Sequence, residues 1–322
     1  MELKGPVVAV AGPTASGKSR VAMSLALKFG GEIVGCDSMQ IYRGMDIGTA
    51  KPSAAEMAAV RHHMIDVADP HEVFSTAEYV KGAEEAIDGI LSRGRLPVIC
   101  GGTGLYLESL LFERTFGVSP GATPLREELK AEASSPEGRQ ALMERLREVD
   151  PESAAALHGN DVRRIIRALE IYHSTGRKKS DLDRESGRPR YRALVLVLHT
   201  PDRAEQNRRI ALRAAEMMRN GLPEETARLD AEGVFESNLT AAQAIGYKEI
   251  LGFVRGGSSE AEATEKLIVA TRRYAKRQDT WFGNRPYATR IDITPEAPDP
   301  LPGAERLVCE FLSDAKLKNG SV

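Results

Sequence analysis

The sequence lacks most of the features that mark secreted, zinc-bound or membrane proteins. It has only three cysteines in 322 residues, Cys36, Cys100 and Cys309, and no two of them have CxxC spacing. Neither a disulfide framework nor a cysteine-ligated zinc site is therefore indicated. Its apolar runs, such as Val7–Ala11 and Leu194–Leu198, are much shorter than a bilayer-spanning helix. Because the chain also shows no signal-peptide pattern, we expect a cytoplasmic protein without membrane contact.

Net charge is also small, at −2, but the charge is unevenly distributed. From Val162 to Arg192 the sequence contains ten Lys and Arg residues against four Asp and Glu. A solvated helix face is the common explanation for one charged run, whereas several basic runs favour contact with a polyanion. The hydrophobic content of 42% is typical of a globular protein, and the length suits one large or two modest domains.

The first hundred residues alternate between short apolar runs and amphipathic stretches. Strands are predicted at 7–11, 32–36 and 96–100, with helices at 18–29 and 76–93. Alternation of this kind is typical of a parallel β-sheet flanked by helices.

That alternation stops after Gly117 and resumes with a strand at 194–198. Three stretches between them have helical character, at 124–146, 151–158 and 161–174, followed by a polar segment at 180–190 that we expect to be mobile. Further helices are predicted at 202–220, 223–232 and 259–282. We therefore predict an α/β core formed by residues 1–115 and 193–315, an all-helical insertion domain at 116–192, and a disordered tail at 316–322.

A phosphate-binding loop lies between the first strand and the first helix. Its residues match GxxxxGK[ST] and are Gly12, Pro13, Thr14, Ala15, Ser16, Gly17, Lys18 and Ser19. Backbone amides in such a loop surround phosphate oxygens, and the start of the helix adds partial positive charge. Lys18 would neutralise a terminal phosphate, and the hydroxyl of Ser19 would ligate Mg²⁺. This loop makes the predicted core P-loop NTPase-like.

Two further features follow predicted strands. Asp37 follows the second strand, where it would orient a nucleophile, accept its proton, help position Mg²⁺, or only cap a helix. The third strand ends in Gly101-Gly102-Thr103-Gly104 instead of the carboxylate found in many P-loop nucleotidases, which suggests close approach of the backbone to a ligand. Lys51 is expected to be a surface residue.

These motifs together resemble the tRNA dimethylallyltransferases, also called tRNA isopentenyltransferases. The resemblance runs in order from about residue 7 to about residue 282. Besides the P-loop, it is carried by DSMQIYRGMDIG at 37–48 with TAKP at 49–52, DVADP at 66–70, GGTGLY at 101–106, NDVRRIIRALE at 160–170, QAIGYK at 243–248 and TRRYAKRQDTW at 271–281. The P-loop alone would not distinguish this family, whereas the long 37–52 block and GGTGLY are much more specific.

The resemblance implies an enzyme that moves a dimethylallyl group from its pyrophosphate to the N6 amine of the adenosine on the 3′ side of the anticodon. The P-loop and Arg213 would bind the pyrophosphate, with Mg²⁺ as cofactor. Lys18 would stabilise the leaving group, Asp37 would take the amine proton, and Thr103 would lie beside that amine. The target base would leave its stack to enter a channel.

The resemblance also implies an interface with the tRNA anticodon stem-loop. The corresponding residues are Asp37, Ser38, Met39, Gln40, Thr103, Arg163, Arg164, Ile165, Ile166, Arg167, Gln243, Lys248, Arg273 and Arg277. Arg163 and Arg167 are spaced i,i+4 and so share a helix face, with the two isoleucines able to pack inward. Trp281 and Phe282 are expected in the core, and a monomer is expected.

Three other functions fit parts of the sequence. A P-loop kinase for a nucleoside or small metabolite explains the P-loop and Asp37 but not the basic helices. A non-catalytic RNA-binding P-loop protein explains the basic helices but requires no role for Asp37. A prenyltransferase acting on free AMP needs no insertion domain.

Overall fold

The computed structural model describes residues 3–114, 124–283 and 285–319. Six strands in this part of the chain form one parallel sheet, in the order β3-β2-β4-β1-β5-β6. The strands are β1 (Lys4–Ala11), β2 (Glu32–Gly35), β3 (His62–His63), β4 (Pro97–Gly101), β5 (Tyr191–His199) and β6 (Ala288–Asp292). Residues 7–11 of the central strand β1 are at most 1% exposed, as expected for a strand covered on both faces.

The chain divides into two compact units, one formed by residues 1–111 and 191–322 and the other by residues 112–190. The first unit contains the sheet. Its helices are α1 (Lys18–Phe29), α2 (Ala54–Ala59), α3 (Thr76–Ser92), α4 (Gly104–Leu111), α10 (Arg203–Arg219), α11 (Leu222–Ala231), α12 (Val234–Ser237), α13 (Tyr247–Val254), α14 (Glu260–Gly283) and α15 (Leu301–Asn319).

The second unit is helical and has its own hydrophobic core. Its helices are α5 (Pro124–Glu132), α6 (Pro136–Val149), α7 (Pro151–Ala156), α8 (Val162–Thr175) and α9 (Lys179–Glu185). Leu129, Leu142, Leu146, Ile165 and Leu169 are each at most 2% exposed and belong to one cluster. None of the helices in the described residues is long and apolar enough to cross a membrane.

The predicted α/β fold class is confirmed, and the four predicted strands are all present. Strands β3 and β6 were not anticipated, since β3 has only two residues, both His, and the residues of β6 include Thr, Arg and Asp, which weaken the apolar signal. The continuous helix predicted at 124–146 is wrong: Ser135 accepts a hydrogen bond from the Gly138 amide at 3.0 Å and caps a new helix, α6.

Two segments expected to be irregular contain helix. Residues 179–185 of the polar segment form α9. The last helix extends to Asn319, into the tail predicted to be disordered, because extending an existing helix fixes few additional dihedrals per hydrogen bond. Residues 320–322 of that tail, and 115–123 at the start of the insertion, lie outside the described residues.

The loop between β2 and α2 is held by two buried or half-buried charged side chains. Lys51 is only 4% exposed in its side chain, so the prediction of a surface residue is wrong. Its ammonium donates to the Tyr42 carbonyl and to Asp46 Oδ1, each at 2.6 Å, and also to Asp66. Because this cation binds two acceptors in the loop and a third, Asp66, after β3, it fixes the loop without regular secondary structure.

From the other side, Glu225 of α11 binds the same loop. Its carboxylate accepts from the backbone amides of Ile47 at 3.0 Å and Gly48 at 3.1 Å, and from the Tyr247 hydroxyl at 2.7 Å. Gly48 is required there, since a Cβ atom at this position would lie 2.5 Å from the Tyr247 ring.

Replacing Lys51 by Met should destabilise the sheet-containing unit by about 1–3 kcal/mol, because three acceptors lose a charged donor at once. Urea unfolding followed by the fluorescence of Trp281, the single tryptophan, measures this change. Lys4→Met is the matched control, since the Lys4–Asp88 pair is 44% and 50% exposed and should contribute at most about 1 kcal/mol. Equal unfolding midpoints for the two variants would contradict the proposed anchoring role.

Candidate active site

The P-loop has the backbone conformation of an anion cradle. Gly12, Ala15 and Gly17 have φ values of 138°, 64° and 83°, and α1 begins directly after them. A Cβ atom at residue 12 would lie 2.5 Å from the Leu198 carbonyl oxygen, so only glycine fits beside β5. Among the described residues, the amides of Ala15, Gly17 and Lys18 have no hydrogen-bond acceptor, which leaves them available to an anion.

Two cations, one in this loop and one near it, form no ion pair with a carboxylate among the described residues. Lys18 makes one hydrogen bond, to the Pro13 carbonyl at 3.4 Å. Arg213, on α10, makes no hydrogen bond or ion pair within residues 3–114, 124–283 and 285–319. Burial lowers the pKa of both groups, and the charge of Arg213 further lowers the pKa of Lys18. A bound anion would relieve both effects.

Asp37 follows β2, at the carboxyl edge of the sheet where the P-loop also lies. It does not cap a helix. Instead, its Oδ1 accepts from the Met39 amide at 2.9 Å, which forms a tight turn. Its negative charge opposes the lowering of pKa at both Lys18 and Arg213, so the three charges act on one another.

A cavity of about 270 Å³ is lined by two members of this charged group, Asp37 and Arg213. Its polar wall includes Thr14, Asp37, Ser38 and Arg213. The other lining residues come from the 37–49 loop, α10, the 243–245 segment and α14, and are Met39, Gly48, Thr49, Ile210, Ala214, Met217, Gln243, Ala244, Ile245, Leu267, Thr271, Tyr274 and Arg277. The cavity therefore combines a cation, a carboxylate and an apolar wall, with Thr14 of the P-loop at its border, which is the composition expected of a small-molecule site.

Thr103 positions the Asp37 segment from β4's side. Its Oγ1 accepts from the Ser38 amide at 3.0 Å, and its own amide donates to the Cys36 carbonyl at 3.2 Å. Burial raises the pKa of the Tyr274 phenol, an effect that nearby Thr103 opposes. Thr103 is thus adjacent to Ser38, which lines the cavity, and its predicted place beside the substrate amine stays a prediction.

The glycines around Thr103 allow close protein packing, and the expected approach of this segment to a ligand stays a prediction. A Cβ atom would lie 2.0 Å from the Cys36 carbonyl oxygen at Gly101, 2.1 Å from Gln278 Nε2 at Gly102, and 2.2 Å from Trp281 Nε1 at Gly104. Each glycine therefore allows another part of the chain to come close to the end of β4.

Gln278 is a site residue that the sequence analysis missed. It is 4% exposed, and its amide bridges two motifs: Oε1 accepts from the Thr14 amide at 2.8 Å and Nε2 donates to the Gly102 carbonyl at 2.9 Å. Tyr274 was missed as well. Both lie on the α14 stripe that also includes Leu267 and Thr271, and this helical spacing was the available signal.

Ser19, the predicted metal ligand, is exposed in the first turn of α1. Burial raises the pKa of the nearby Cys100 thiol to about 11, an effect that Ser19 and the charge of Lys18 oppose. Within the part of the chain described, no three His, Cys, Asp or Glu side chains come together as a metal site.

The predicted RNA-contacting residues fall into different environments. In the helical unit, Arg163 and Arg164 are exposed, and Arg167 lies 3.7 Å from the Glu170 carboxylate. Ile165 and Ile166 are 1% and 5% exposed, so their inclusion among RNA contacts is corrected: their side chains form the core of that unit.

In the sheet-containing unit, several predicted RNA-contacting residues lie at or near the cavity. Ser38, Met39, Gln243 and Arg277 line it, whereas Gln40 does not, because its amide donates to the Thr49 and Ala50 carbonyls at 3.0 Å each. The remaining two are exposed or paired: Arg273 is exposed on α14, and Lys248 donates to Gln243 Oε1 at 2.7 Å.

Comparison with known proteins adds an independent line of information. The family model described as IPP transferase matches residues 40–285. A tRNA dimethylallyltransferase of Thermoanaerobacter sp. (strain X514) is 46% identical over 279 residues, covering 86% of this chain and 88% of that protein. The corresponding protein of Halorhodospira halophila is 47% identical, with coverages of 87% and 90%.

Solved structures agree with these matches. The tRNA isopentenylpyrophosphate transferase of Bacillus halodurans superposes with a TM-score of 0.72 at 39% identity, covering 98% of this chain and 100% of that one. A eukaryotic dimethylallyltransferase described as acting on tRNA gives a TM-score of 0.82 at 27% identity, with coverages of 97% and 80%. With the family model spanning most of the sequence, relatives at 46–47% identity over most of their length, and a P-loop beside a cavity that holds a carboxylate and an apolar wall, this chain belongs to the tRNA dimethylallyltransferase family.

Proposed function

We propose that this protein transfers the dimethylallyl group of dimethylallyl pyrophosphate to the N6 amine of the adenosine 3′-adjacent to the anticodon, tRNA position 37, and releases pyrophosphate. The observation that carries the proposal is that Arg213 and Asp37 line one cavity while Lys18 of the P-loop acts on both electrostatically, and neither cation has an ion-pair partner within the described residues. Family membership favours this reaction over phosphoryl transfer by a small-metabolite kinase.

The donor binds with its pyrophosphate at the P-loop and its hydrocarbon part against the apolar wall. The unoccupied amides of Ala15, Gly17 and Lys18 are arranged to donate to phosphate oxygens. Ile210, Met217 and Leu267 offer apolar surface to the dimethylallyl group. This orientation directs the allylic carbon toward Asp37.

Transfer forms one C–N bond and breaks one C–O bond. The N6 nitrogen attacks the allylic carbon, the electron pair of the breaking bond goes to the pyrophosphate, and the amine proton goes to the Asp37 carboxylate. Lys18 and Arg213 stabilise the charge that grows on the leaving group, which is the main electrostatic contribution of the site. Thr103, through Ser38, positions the segment that carries Asp37.

A divalent cation, Mg²⁺ in this proposal, fits the donor set at the P-loop. Mg²⁺ commonly takes one or two protein oxygens and completes its shell with phosphate oxygens and water. The exposed hydroxyl of Ser19 at the start of α1 provides such an oxygen beside the cradle. When bound, the ion would neutralise part of the pyrophosphate charge.

The acceptor is a tRNA anticodon stem-loop and not free AMP, because the chain offers exposed cations that a mononucleotide would not use. In the helical unit, formed by residues 112–190, Arg163 and Arg164 on α8 are exposed. We propose that this unit contacts the tRNA backbone and that the protein acts as a cytoplasmic monomer.

Asp37→Asn should lower the single-turnover transfer rate by about 10²–10⁴-fold, because the amide keeps the shape of the carboxylate but does not accept the amine proton. Transfer of labelled dimethylallyl to unmodified tRNA measures the rate, and tRNA affinity should stay near that of the parent. Asp88→Asn, which changes an exposed carboxylate on α3, is the control. If the Asp37→Asn variant transferred the group at the parent's rate, Asp37 would not be the base that accepts the amine proton.

Arg213→Ala and Lys18→Ala should each weaken pyrophosphate binding by about tenfold or more, since each removes a charged hydrogen-bond donor from a site with no competing carboxylate contact. Inhibition of transfer by added pyrophosphate reports this affinity directly. Arg213→Lys should recover part of the loss. Unchanged inhibition in Arg213→Ala would show that this arginine does not contact the donor.

Arg163→Ala combined with Arg164→Ala should lower tRNA affinity and make its dependence on log salt shallower, by roughly 0.7–0.9 for each phosphate that the protein no longer neutralises. Fluorescence anisotropy with an unmodified anticodon stem-loop measures both. Arg184→Ala is the control in the same unit, because Arg184 is already paired with Glu152 at 2.6 Å. If this control weakened binding as strongly, α8 would have no particular role in tRNA contact.

A further inference from the structure

A second concave region lies between α10 and α14, apart from the residues that carry the chemistry. We call it the α10–α14 groove; its volume is about 510 Å³. Its lining residues are His199, Thr200, Pro201, Arg203, Gln206, Asn207, Ile210, Arg272, Arg273, Ala275, Lys276, Asp279 and Thr280. Only Ile210 is shared with the active-site cavity, so the two regions are neighbours with separate polar surfaces.

Two buried polar side chains in this groove have no partner. Thr200 and Gln206 are 3% and 8% exposed, and neither Thr200 Oγ1 nor Gln206 Nε2 has a hydrogen bond within the described residues. A buried donor without an acceptor has lost its hydrogen bonds to water and gained none in exchange, which destabilises the fold. Such a pair in one concave surface indicates a ligand that supplies acceptors.

The cations of the groove are unpaired in the same way. Arg203, Arg272, Arg273 and Lys276 are exposed, and none of them forms an ion pair or hydrogen bond within the described part of the chain. In contrast, Arg208 and Arg209, farther along α10, both bind Glu205 at 2.7 Å. The one carboxylate among the lining residues, Asp279, contacts His199 Nδ1 at 3.3 Å.

We propose that the α10–α14 groove binds a backbone phosphate of the tRNA substrate, with Thr200 and Gln206 as neutral hydrogen-bond donors and the four cations as its electrostatic surface. This inference rests on the proposed function. To the predicted contact of Arg273 it adds two buried donors, Thr200 directly after β5 and Gln206 on α10.

An RNA phosphodiester suits this groove better than a small anion does. Four cations spread along two helices match a chain of phosphates, whereas the two buried donors accommodate one phosphate at a fixed position. Ile210 lines both regions, so an RNA strand that places a base in the active-site cavity brings its backbone near the groove. The contact would fix the register of the strand without reading its sequence.

The central test uses a variant that changes no charge, Thr200→Val combined with Gln206→Leu. Its affinity for a labelled unmodified anticodon stem-loop should fall by about fivefold or more, since two hydrogen bonds to a charged oxygen are removed. Its thermal midpoint should equal or exceed the parent's, because these atoms have no protein partner in the described residues. Parent-like affinity, or a lower midpoint that marks the pair as structural, would overturn the proposal.

A second variant, Arg272→Ala with Lys276→Ala, should also weaken stem-loop binding and reduce the salt dependence by roughly 0.7–0.9 for each phosphate left without a cation. Lys81→Ala on α3 is the control, an exposed cation without a partner in the described residues that lies outside the groove. If affinity decreased similarly in this control, the effect would come from the overall charge of the protein, and the proposed phosphate site in the groove would be refuted.

Inorganic phosphate distinguishes the two sources of the ligand. If millimolar phosphate raises the thermal midpoint of the parent but not that of the Thr200–Gln206 variant, while both bind the stem-loop equally, the groove holds a free anion and the RNA assignment fails. The parent's transfer activity separates this inference from the proposed function. A parent that prenylates tRNA while all groove variants bind normally would refute the groove alone.

Discussion

The site depends on keeping one carboxylate and two cations close to one another without ion pairing. Asp37, Lys18 and Arg213 act on one another electrostatically, yet no ion pair joins them among the described residues. Asp37 is held instead by the Met39 amide, and Thr103 fixes the adjoining Ser38. If the loop relaxed into a salt bridge, the base would lose its basicity and the cations would no longer be available to an anion.

That separation is maintained by packing at the carboxyl edge of the sheet. Gln278 connects the P-loop to the end of β4 by two hydrogen bonds. The absence of side chains at Gly101 and Gly102 lets Cys36 and Gln278 pack closely against the end of β4. On the other side, Lys51 and Glu225 hold the loop that follows Asp37. Neither of the last two lines the cavity, so their contribution is rigidity, which a preorganised electrostatic site requires.

Much of this arrangement is predictable because it is local in sequence. The P-loop, the strand before Asp37 and the parallel sheet follow from motif and periodicity, and they bring Lys18 and Asp37 to one edge. The role of Gln278 does not follow, since its partners lie 264 and 176 residues away. The burial of Lys51 does not follow either, since it depends on Asp66. Ile165 and Ile166 are a different case: the resemblance grouped them with RNA contacts, although helical periodicity places them inward.

Pairing of charge separates the cations that shape the fold from those that we propose bind a ligand. Lys51, Arg208 and Arg209 each have a carboxylate partner, whereas Lys18, Arg213 and the cations of the α10–α14 groove have none among the described residues. Unpaired cations at the groove and on α8 would hold any RNA backbone alike, since phosphates carry no sequence information. Selection of the acceptor nucleotide must then fall to the 270 Å³ cavity, where a base has to fit beside Asp37 and the bound donor. Affinity and specificity are in this way assigned to different residues of one chain.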